Sequence, residues 1–202
     1  AGAEQMHQVA ERVAAFCIAR NLAALTLVGH SMGGNVALEL ALSWPELVAR
    51  MVLVAPAAQA PDMPPYTRLS LPEHYGWPAL RASLLFYRGL DAVARGWRPA
   101  AGIGRMLPGL RRAAFAARQD PAELHRLRGG LFANPLAERL SQVHVPTLVI
   151  NGELDAVVPA DLSRRMAAAI PGATFLTLRG ALHHPMDEQP RAFQQALLEF
   201  LD

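Results

Sequence analysis

The sequence predicts an α/β protein built on a parallel sheet, with a helical insertion between two segments of the core. Four short apolar runs have the length and composition of buried strands. Segments with helical spacing alternate with these runs, which favours a parallel sheet because parallel strands need crossover connections. A proline-rich stretch separates the second run from the third, and the chain there is predicted to be an insertion.

Residues 1–55 form the predicted first segment of the core. Apolar residues three and four positions apart predict an amphipathic helix over residues 4–20. A strand is predicted over 25–28, a largely apolar and covered helix over 35–43, and a second buried strand over 51–55. The expected buried stripe of the first helix consists of Met6, Val9, Val13, Phe16 and Cys17.

Residues 56–144 form the predicted insertion. Six prolines between positions 56 and 78 interrupt regular structure, and three pieces with helical spacing follow them. Because this stretch separates two strand-bearing regions, we expect a helical cap over a site.

Residues 145–202 form the predicted second segment of the core. Strands are predicted over 145–150 and 174–178, with a helix at about 160–170 between them. A loop and a closing amphipathic helix follow the last strand.

Composition indicates a single globular domain. The chain has 202 residues, 52% of them hydrophobic, and one cysteine, Cys17, which we expect to be a buried hydrophobe. No apolar run approaches the length of a membrane span, and residues 1–20 show no secretory signal. We therefore expect a cytoplasmic protein with no membrane span. The net charge of +2 argues against a nucleic-acid partner.

All 19 basic residues are arginine, and they are concentrated in the predicted cap. Residues 56–144 carry 12 arginines and 6 acids, a balance of +6, whereas the rest carries 7 and 11, a balance of −4. Attraction of an anionic substrate is one interpretation, but a solvated helix face is the commoner role. The arginines concerned include Arg105, Arg111, Arg112 and Arg118.

A motif that suggests chemistry lies between the first strand and the second helix. Residues 29–33 are Gly-His-Ser-Met-Gly, so Ser31 stands in a tight strand-to-helix turn. We expect glycine at positions 29 and 33 because a Cβ at either place would crowd the crossing backbone. The turn presents the Ser31 hydroxyl at the carboxyl edge of the sheet, beside the first N–H groups of the helix.

Two further polar residues follow predicted strands. Asp155 lies in a short loop after the third strand, and His183 follows the fourth. Loops after parallel strands open on one edge of a sheet, so Ser31, Asp155 and His183 are expected to converge. A serine hydroxyl needs a base to take its proton and a third group to orient that base, and these residues supply the set.

These motifs resemble those of the α/β-hydrolase family. The family's nucleophile elbow is G-x-S-x-G, and its acid loop is similar to G-x-x-D-x-x-x-P, which residues 152–159 match. Its triad follows the chain order Ser, Asp or Glu, His. Its H-x(4)-E-x-P tail is matched by His183, Glu188 and Pro190. The resemblance covers essentially residues 4–202.

The resemblance implies a role for each residue of the constellation. Ser31 would be the nucleophile, His183 the general base and then acid, and Asp155 the orienting carboxylate. The N–H of Met32 would be one oxyanion donor. No metal or organic cofactor is required for this chemistry.

Neighbouring residues compete for two of these roles. His184 competes with His183, although the tail spacing favours His183, and Glu153 is a weaker rival of Asp155. A turn or helix-cap role is the structural alternative for Asp155. His30 and His184 are candidates for the substrate pocket, with packing as their commoner role.

No metal site is predicted. The other histidines lack the spacing of metal ligands and are interpreted as structural or solvated. Asp161 is predicted to be an acid of a helix's first turn. The histidines set aside are His7, His74, His125 and His144.

The resemblance begins late in the family's fold. The family has about four more strands ahead of the helix at 4–20, and the loop after the third carries the second oxyanion donor; nothing here matches it. The nucleophile strand is therefore expected to be a sheet edge, which favours a homo-oligomer paired along that edge. A fragment, a natural truncation and completion by another copy remain the open interpretations.

Serine at the elbow points to acyl transfer, since family members that open epoxides or cut carbon–halogen bonds carry aspartate there. The leading interpretation is a serine hydrolase that cleaves a carboxylic ester of a small or medium acyl substrate. A thioesterase, lactonase, perhydrolase or C–C bond hydrolase would use the same triad. A non-catalytic binding protein with a relic triad is the alternative from another class.

Overall fold

The computed structural model describes residues 2–57 and 136–202. Most of the predicted cap, including His74 and His125, lies outside the described residues. The described strands are β1 (Leu25–His30), β2 (Val48–Val54), β3 (Thr147–Gly152) and β4 (Thr174–Leu178). The described α-helices are α1 (Gly2–Ala19), α2 (Met32–Ser43), α3 (Ala160–Ala169), α4 (Pro185–Glu188) and α5 (Pro190–Leu201). Within residues 2–57 and 136–202, two 3-10 helices span Pro45–Leu47 and Leu136–Gln142. None of the described helices has the length and apolar character needed to cross a membrane.

The four strands form one parallel sheet in the order β1-β2-β3-β4, which confirms the predicted fold class. The register places His30, Val54, Ile150 and Leu176 side by side across the sheet. The carboxyl ends of all four strands therefore lie along one edge. β1 is an outer strand of the described sheet, as expected of the strand before Ser31. The homo-oligomer paired along this edge stays a prediction.

The core lies on both faces of the sheet, as the continuous apolar runs of its central strands require. Met51 and Leu53 of β2 pack with α1, α2 and α3 on one face, whereas Val52 and Val54 pack with α5 on the other. This alternation follows from the two-residue period of a strand. The sheet thus lies between two layers of helices, and the loops after its strands start at its carboxyl edge.

The buried stripe of α1 differs from the predicted one, since Val9 and Val13 are only half-buried and Phe16 is exposed. Met6, Ala10, Ala14 and Cys17 are buried, but 57% of Phe16 is exposed. Successive helical residues point about 100° apart around the helix axis. With Cys17 in the buried stripe, the preceding residue, Phe16, therefore lies at the edge of the stripe and is exposed. The prediction for Cys17 as a buried hydrophobe is confirmed.

Glu39 of α2 is a buried acid that joins three helices. Its carboxylate accepts a hydrogen bond from His7 Nδ1 of α1 at 2.9 Å and one from Ser43 Oγ at 3.1 Å. Both its oxygens lie 3.3 Å from an Arg139 guanidinium nitrogen of the 3-10 helix at Leu136–Gln142. Burial alone would raise the pKa of Glu39, but His7, Arg139 and Ser43 together hold it below its usual value.

We expect the Glu39 cluster to stabilise the fold above about pH 4.3, the ordinary pKa of glutamate. A folded-state pKa below the unfolded value favours folding while the group is ionised, and this contribution is lost as pH falls through the folded-state pKa. Glu39→Gln should therefore lower the free energy of unfolding by about 1–2 kcal/mol at pH 7 and by less at pH 3. Urea unfolding at the two pH values measures the difference; a gap that widens toward pH 3 would contradict the assignment.

Candidate active site

Ser31 occupies a strained backbone turn between β1 and α2. Its φ of 53° and ψ of −120° lie in a region that residues with a side chain rarely adopt. The turn is fixed because the Ser31 N–H donates to the Val54 carbonyl at 2.9 Å, and the Gly34 N–H donates to the Ser31 carbonyl at 2.9 Å. The helix starts at Met32, immediately after Ser31, rather than a few residues later as the sequence pattern suggested.

The glycines around Ser31 have different structural reasons. A Cβ on Gly29 would lie 2.5 Å from the Gly33 carbonyl oxygen, so glycine is required there. A Cβ on Gly33 would meet nothing within 4 Å, so the prediction of crowding at Gly33 was wrong. The second tight position is Gly34, where a Cβ would lie 3.1 Å from Pro56 Cβ. The two glycines with close backbone neighbours are therefore Gly29 and Gly34, rather than the Gly29 and Gly33 of the motif.

These contacts predict opposite effects of two alanine substitutions. Gly29→Ala should destabilise the protein by about 2–3 kcal/mol, because backbone atoms must move to admit the new methyl group. Gly33→Ala should leave stability unchanged or raise it by up to about 1 kcal/mol, because Gly33 is helical and uncrowded. Urea unfolding of the two variants checks the pair, and equal losses would contradict the geometry.

Asp155 lies in a loop that is built around its own side chain. Its Oδ1 accepts the backbone N–H groups of Val157 at 2.8 Å and Val158 at 2.9 Å. Asn151, buried at the end of β3, donates to the Val158 carbonyl at 3.0 Å and accepts from Ser163 Oγ of α3 at 2.9 Å. Asn151 and Ser163 were not predicted from the sequence, since an isolated amide or hydroxyl carries no motif. Together they hold the loop in the position where the other Asp155 oxygen, Oδ2, meets the His183 ring.

Ser31, His183 and Asp155 form one hydrogen-bonded chain. His183 Nδ1 lies 2.8 Å from Asp155 Oδ2, and His183 Nε2 lies 3.1 Å from Ser31 Oγ. A carboxylate only accepts hydrogen bonds, so we assign the proton to Nδ1, which leaves Nε2 to accept from the hydroxyl. The Asp155 side chain is fully buried and that of His183 is 15% exposed. The structure thus brings together three residues that lie 152 and 28 positions apart.

The loop that carries His183 is held by the acid loop and by α4. Glu153 accepts the Gly180 N–H at 2.9 Å, and the Leu154 N–H donates to the Ala181 carbonyl at 2.8 Å. Glu188 of α4 accepts the N–H of Leu182, the residue directly before His183. Glu188 was singled out by the tail spacing alone, and the structure gives that spacing a physical function. Glu153 is exposed and braces this loop, whereas the carboxylate at the His183 ring belongs to Asp155.

The remaining predicted site residues lie next to the hydrogen-bonded chain of Ser31, His183 and Asp155. His30 and His184 place their rings 4.8 Å apart, and each also contacts the His183 ring, at 4.9 and 5.3 Å. Met32 is the first residue of α2, so its N–H has no acceptor within the helix. Asp161 lies in the first turn of α3, as predicted, and pairs with Arg165 at 3.5 Å.

No group of three or more metal-ligating side chains occurs within residues 2–57 and 136–202. Of the histidines set aside, His7 pairs with Glu39 and stacks on Trp44 at 5.3 Å between ring centroids. His144 is exposed. Both fit the structural or solvated roles predicted for them.

Comparison with known proteins gives the family of this fold. A family model described as "Alpha/beta hydrolase family" matches residues 2–196, and the chain belongs to that family. A relative from Pseudomonas syringae pv. syringae, "Putative carbamate hydrolase RutD", is 33% identical over 181 residues, which are 86% of this chain and 66% of that protein.

Two further similarities extend this comparison. The 2-hydroxy-6-oxononadienedioate/2-hydroxy-6-oxononatrienedioate hydrolase of Paraburkholderia phymatum is 32% identical over 87% of this chain and 61% of its own length. A thermophilic esterase structure from Thermogutta terrifontis has a TM-score of 0.68 and 25% identity, over 97% of this chain and 71% of that one. The chain thus spans 61–66% of the length of these two curated relatives.

Proposed function

We propose that this protein is a serine hydrolase that cleaves a carboxylic ester of a small-molecule acyl substrate. The observation that supports the proposal is the hydrogen-bonded chain from Ser31 Oγ through His183 to the buried Asp155 carboxylate. Nucleophile, base and orienting group are all within hydrogen-bond reach, as this chemistry requires. Membership of the α/β-hydrolase family, whose named relatives are hydrolases, is consistent with it.

In the acylation step, His183 Nε2 takes the proton of Ser31 Oγ while Oγ attacks the carbonyl carbon of the ester. The imidazolium that forms keeps its Nδ1–H on Asp155, which stabilises the positive charge. When the tetrahedral intermediate collapses, the carbon–oxygen bond to the leaving group breaks and His183 gives its proton to the departing alcohol. The acyl group is then an ester of Ser31.

In the deacylation step, a water molecule attacks the acyl carbon and gives its proton to His183 Nε2. The bond to Ser31 Oγ breaks, Oγ takes the proton back, and the carboxylic acid leaves. We assign the Met32 N–H as one donor to the oxyanion of both intermediates, because it opens α2 beside Ser31. Removing one such donor typically costs about 10²–10³ in turnover.

A second candidate is hydrolysis of a carbon–carbon bond next to a ketone by the same three residues. The similarity to the Paraburkholderia phymatum hydrolase, at 32% identity, favours it. Attack on a carbonyl carbon is common to both reactions, and they differ in whether carbon or oxygen leaves. We propose that the choice rests with residues 56–144, the predicted cap. A comparison of kcat/KM on an aryl ester and on a vinylogous 1,5-diketone separates the two.

A fluorophosphonate probe tests the proposed mechanism directly. Ser31 Oγ should displace fluoride and form a stable phosphonyl ester, which mass spectrometry of the peptide carrying Ser31 detects. Heat-denatured protein should not react, because labelling requires His183 in place. Persistence of the label in Ser31→Ala, or its absence from folded wild-type protein, would overturn the proposal. Turnover of a short-chain aryl ester by the same preparation gives the rate.

A further inference from the structure

His30 is the last residue of β1 and the chain neighbour of Ser31. Its Nε2 atom lies 2.8 Å from the backbone carbonyl oxygen of His183. A carbonyl oxygen only accepts, so Nε2 of His30 must carry a proton and donate it. One hydrogen bond therefore links the side chain of the residue before the proposed nucleophile to the backbone of the proposed base.

We propose that His30 is a positioning residue that fixes the distance between Ser31 and the His183 imidazole. The inference rests on the proposed serine hydrolase function. His30 acts through His183 and takes no part in bond making: its side chain holds the His183 backbone, and that backbone sets where the ring stands. The two contacts at stake are His183 Nε2 to Ser31 Oγ, 3.1 Å, and His183 Nδ1 to Asp155 Oδ2, 2.8 Å.

The way the His183 loop is held explains why a contact from β1 matters. Glu153, Leu154 and Glu188 hold residues 180–182, and two of these contacts come from the loop after β3. These three contacts tie the His183 loop to the acid loop and to α4, and none of the three comes from β1. The hydrogen bond from His30 reaches the loop from the β1 side, at the residue whose ring must meet Ser31.

Ring packing adds to the hydrogen bond. The His30 ring contacts the His183 ring at 4.9 Å and the His184 ring at 4.8 Å between centroids. An aromatic ring at position 30 therefore fills space beside the His183 ring, whereas the His30 Nε2–H sets the position of the His183 backbone. Substitution can separate these two contributions, because phenylalanine keeps the ring and glutamine keeps an N–H donor.

The test compares His30→Phe and His30→Gln with wild-type protein in aryl-ester turnover and in fluorophosphonate labelling. Displacement of a reacting group by about 1 Å costs about a hundredfold. His30→Phe should therefore lower kcat and the labelling rate constant ten- to a hundredfold with little change in KM. His30→Gln should restore most of both rates. Wild-type rates in a folded His30→Phe, or a rise in KM alone, would overturn the proposal.

A second measurement covers the case in which His30→Phe does not fold. Nitrogen-15 chemical shifts of the imidazoles in wild-type protein report the tautomer of His30 directly. The proposal requires the Nε2–H form, and a neutral Nδ1–H form would overturn it. If wild-type Ser31 is not labelled at all, the serine hydrolase proposal fails, and the tautomer still decides whether the His30 link exists.

Discussion

Asp155→Asn should lower kcat/KM for an aryl ester by about 10⁴, with little change in stability. The reason lies in how the two carboxylate oxygens are used. Oδ1 accepts the N–H groups of Val157 and Val158, and only an oxygen can do so. An asparagine in this place must therefore direct its NH₂ group at His183 Nδ1. The loop is kept, but the imidazole must present a lone pair to the amide and carry its proton on Nε2.

A His183 protonated on Nε2 cannot accept the Ser31 proton, so the loss falls on the chemical step. We expect kcat to fall while the melting temperature stays within a few degrees of wild type. Asp161→Asn is the matched control, because Asp161 is an exposed acid that pairs with Arg165 on α3. Equal activity of the Asp155→Asn and wild-type proteins would rule out Asp155 as the orienting group.

Much of the fold could be predicted because its signals are local. The four strands are short apolar runs, and the tight turn at Ser31 is encoded by glycines within a few positions. The meeting of Ser31, Asp155 and His183 is less local but still followed from topology, since all three follow parallel strands whose carboxyl ends share one edge. The order of strands along the sheet then decided which loops are neighbours.

The features that could not be predicted depend on contacts between distant segments. Glu39 is an acid in a largely apolar helix, and its partners His7 and Arg139 lie 32 and 100 positions away in the sequence. Phe16 fits the helical spacing but lies on the exposed flank, because packing rather than periodicity sets the centre of the stripe.

The choice between His183 and His184 has the same origin. The two residues are adjacent and of the same type, so they differ in the direction in which their side chains point, and the path of the loop backbone sets that direction. The spacing to Glu188 favoured His183 without giving a cause. The structure supplies one, because Glu188 holds the N–H of Leu182 and thereby orients the next residue toward Asp155.

Gly152→Ala should both destabilise the protein and slow the proposed reaction. Gly152 ends β3, where the acid loop begins, and a Cβ there would lie 2.0 Å from the Leu182 carbonyl oxygen and 2.5 Å from that of Ala181. Both are backbone atoms of the loop that carries His183, so they cannot rotate away as a side chain can. We expect a loss of about 3 kcal/mol in unfolding free energy. The displaced His183 should lower kcat/KM about a hundredfold.

Gly172→Ala separates this effect from the general cost of replacing a glycine. Gly172 has a φ of +71°, but a Cβ there would meet nothing within 4 Å. Its substitution should cost about 1 kcal/mol in stability and leave kcat/KM unchanged. If Gly152→Ala behaves like Gly172→Ala, the acid loop and the His183 loop do not cross as closely as described. If it loses activity at temperatures where it is fully folded, the close crossing of these two backbones is what places the imidazole between Asp155 and Ser31.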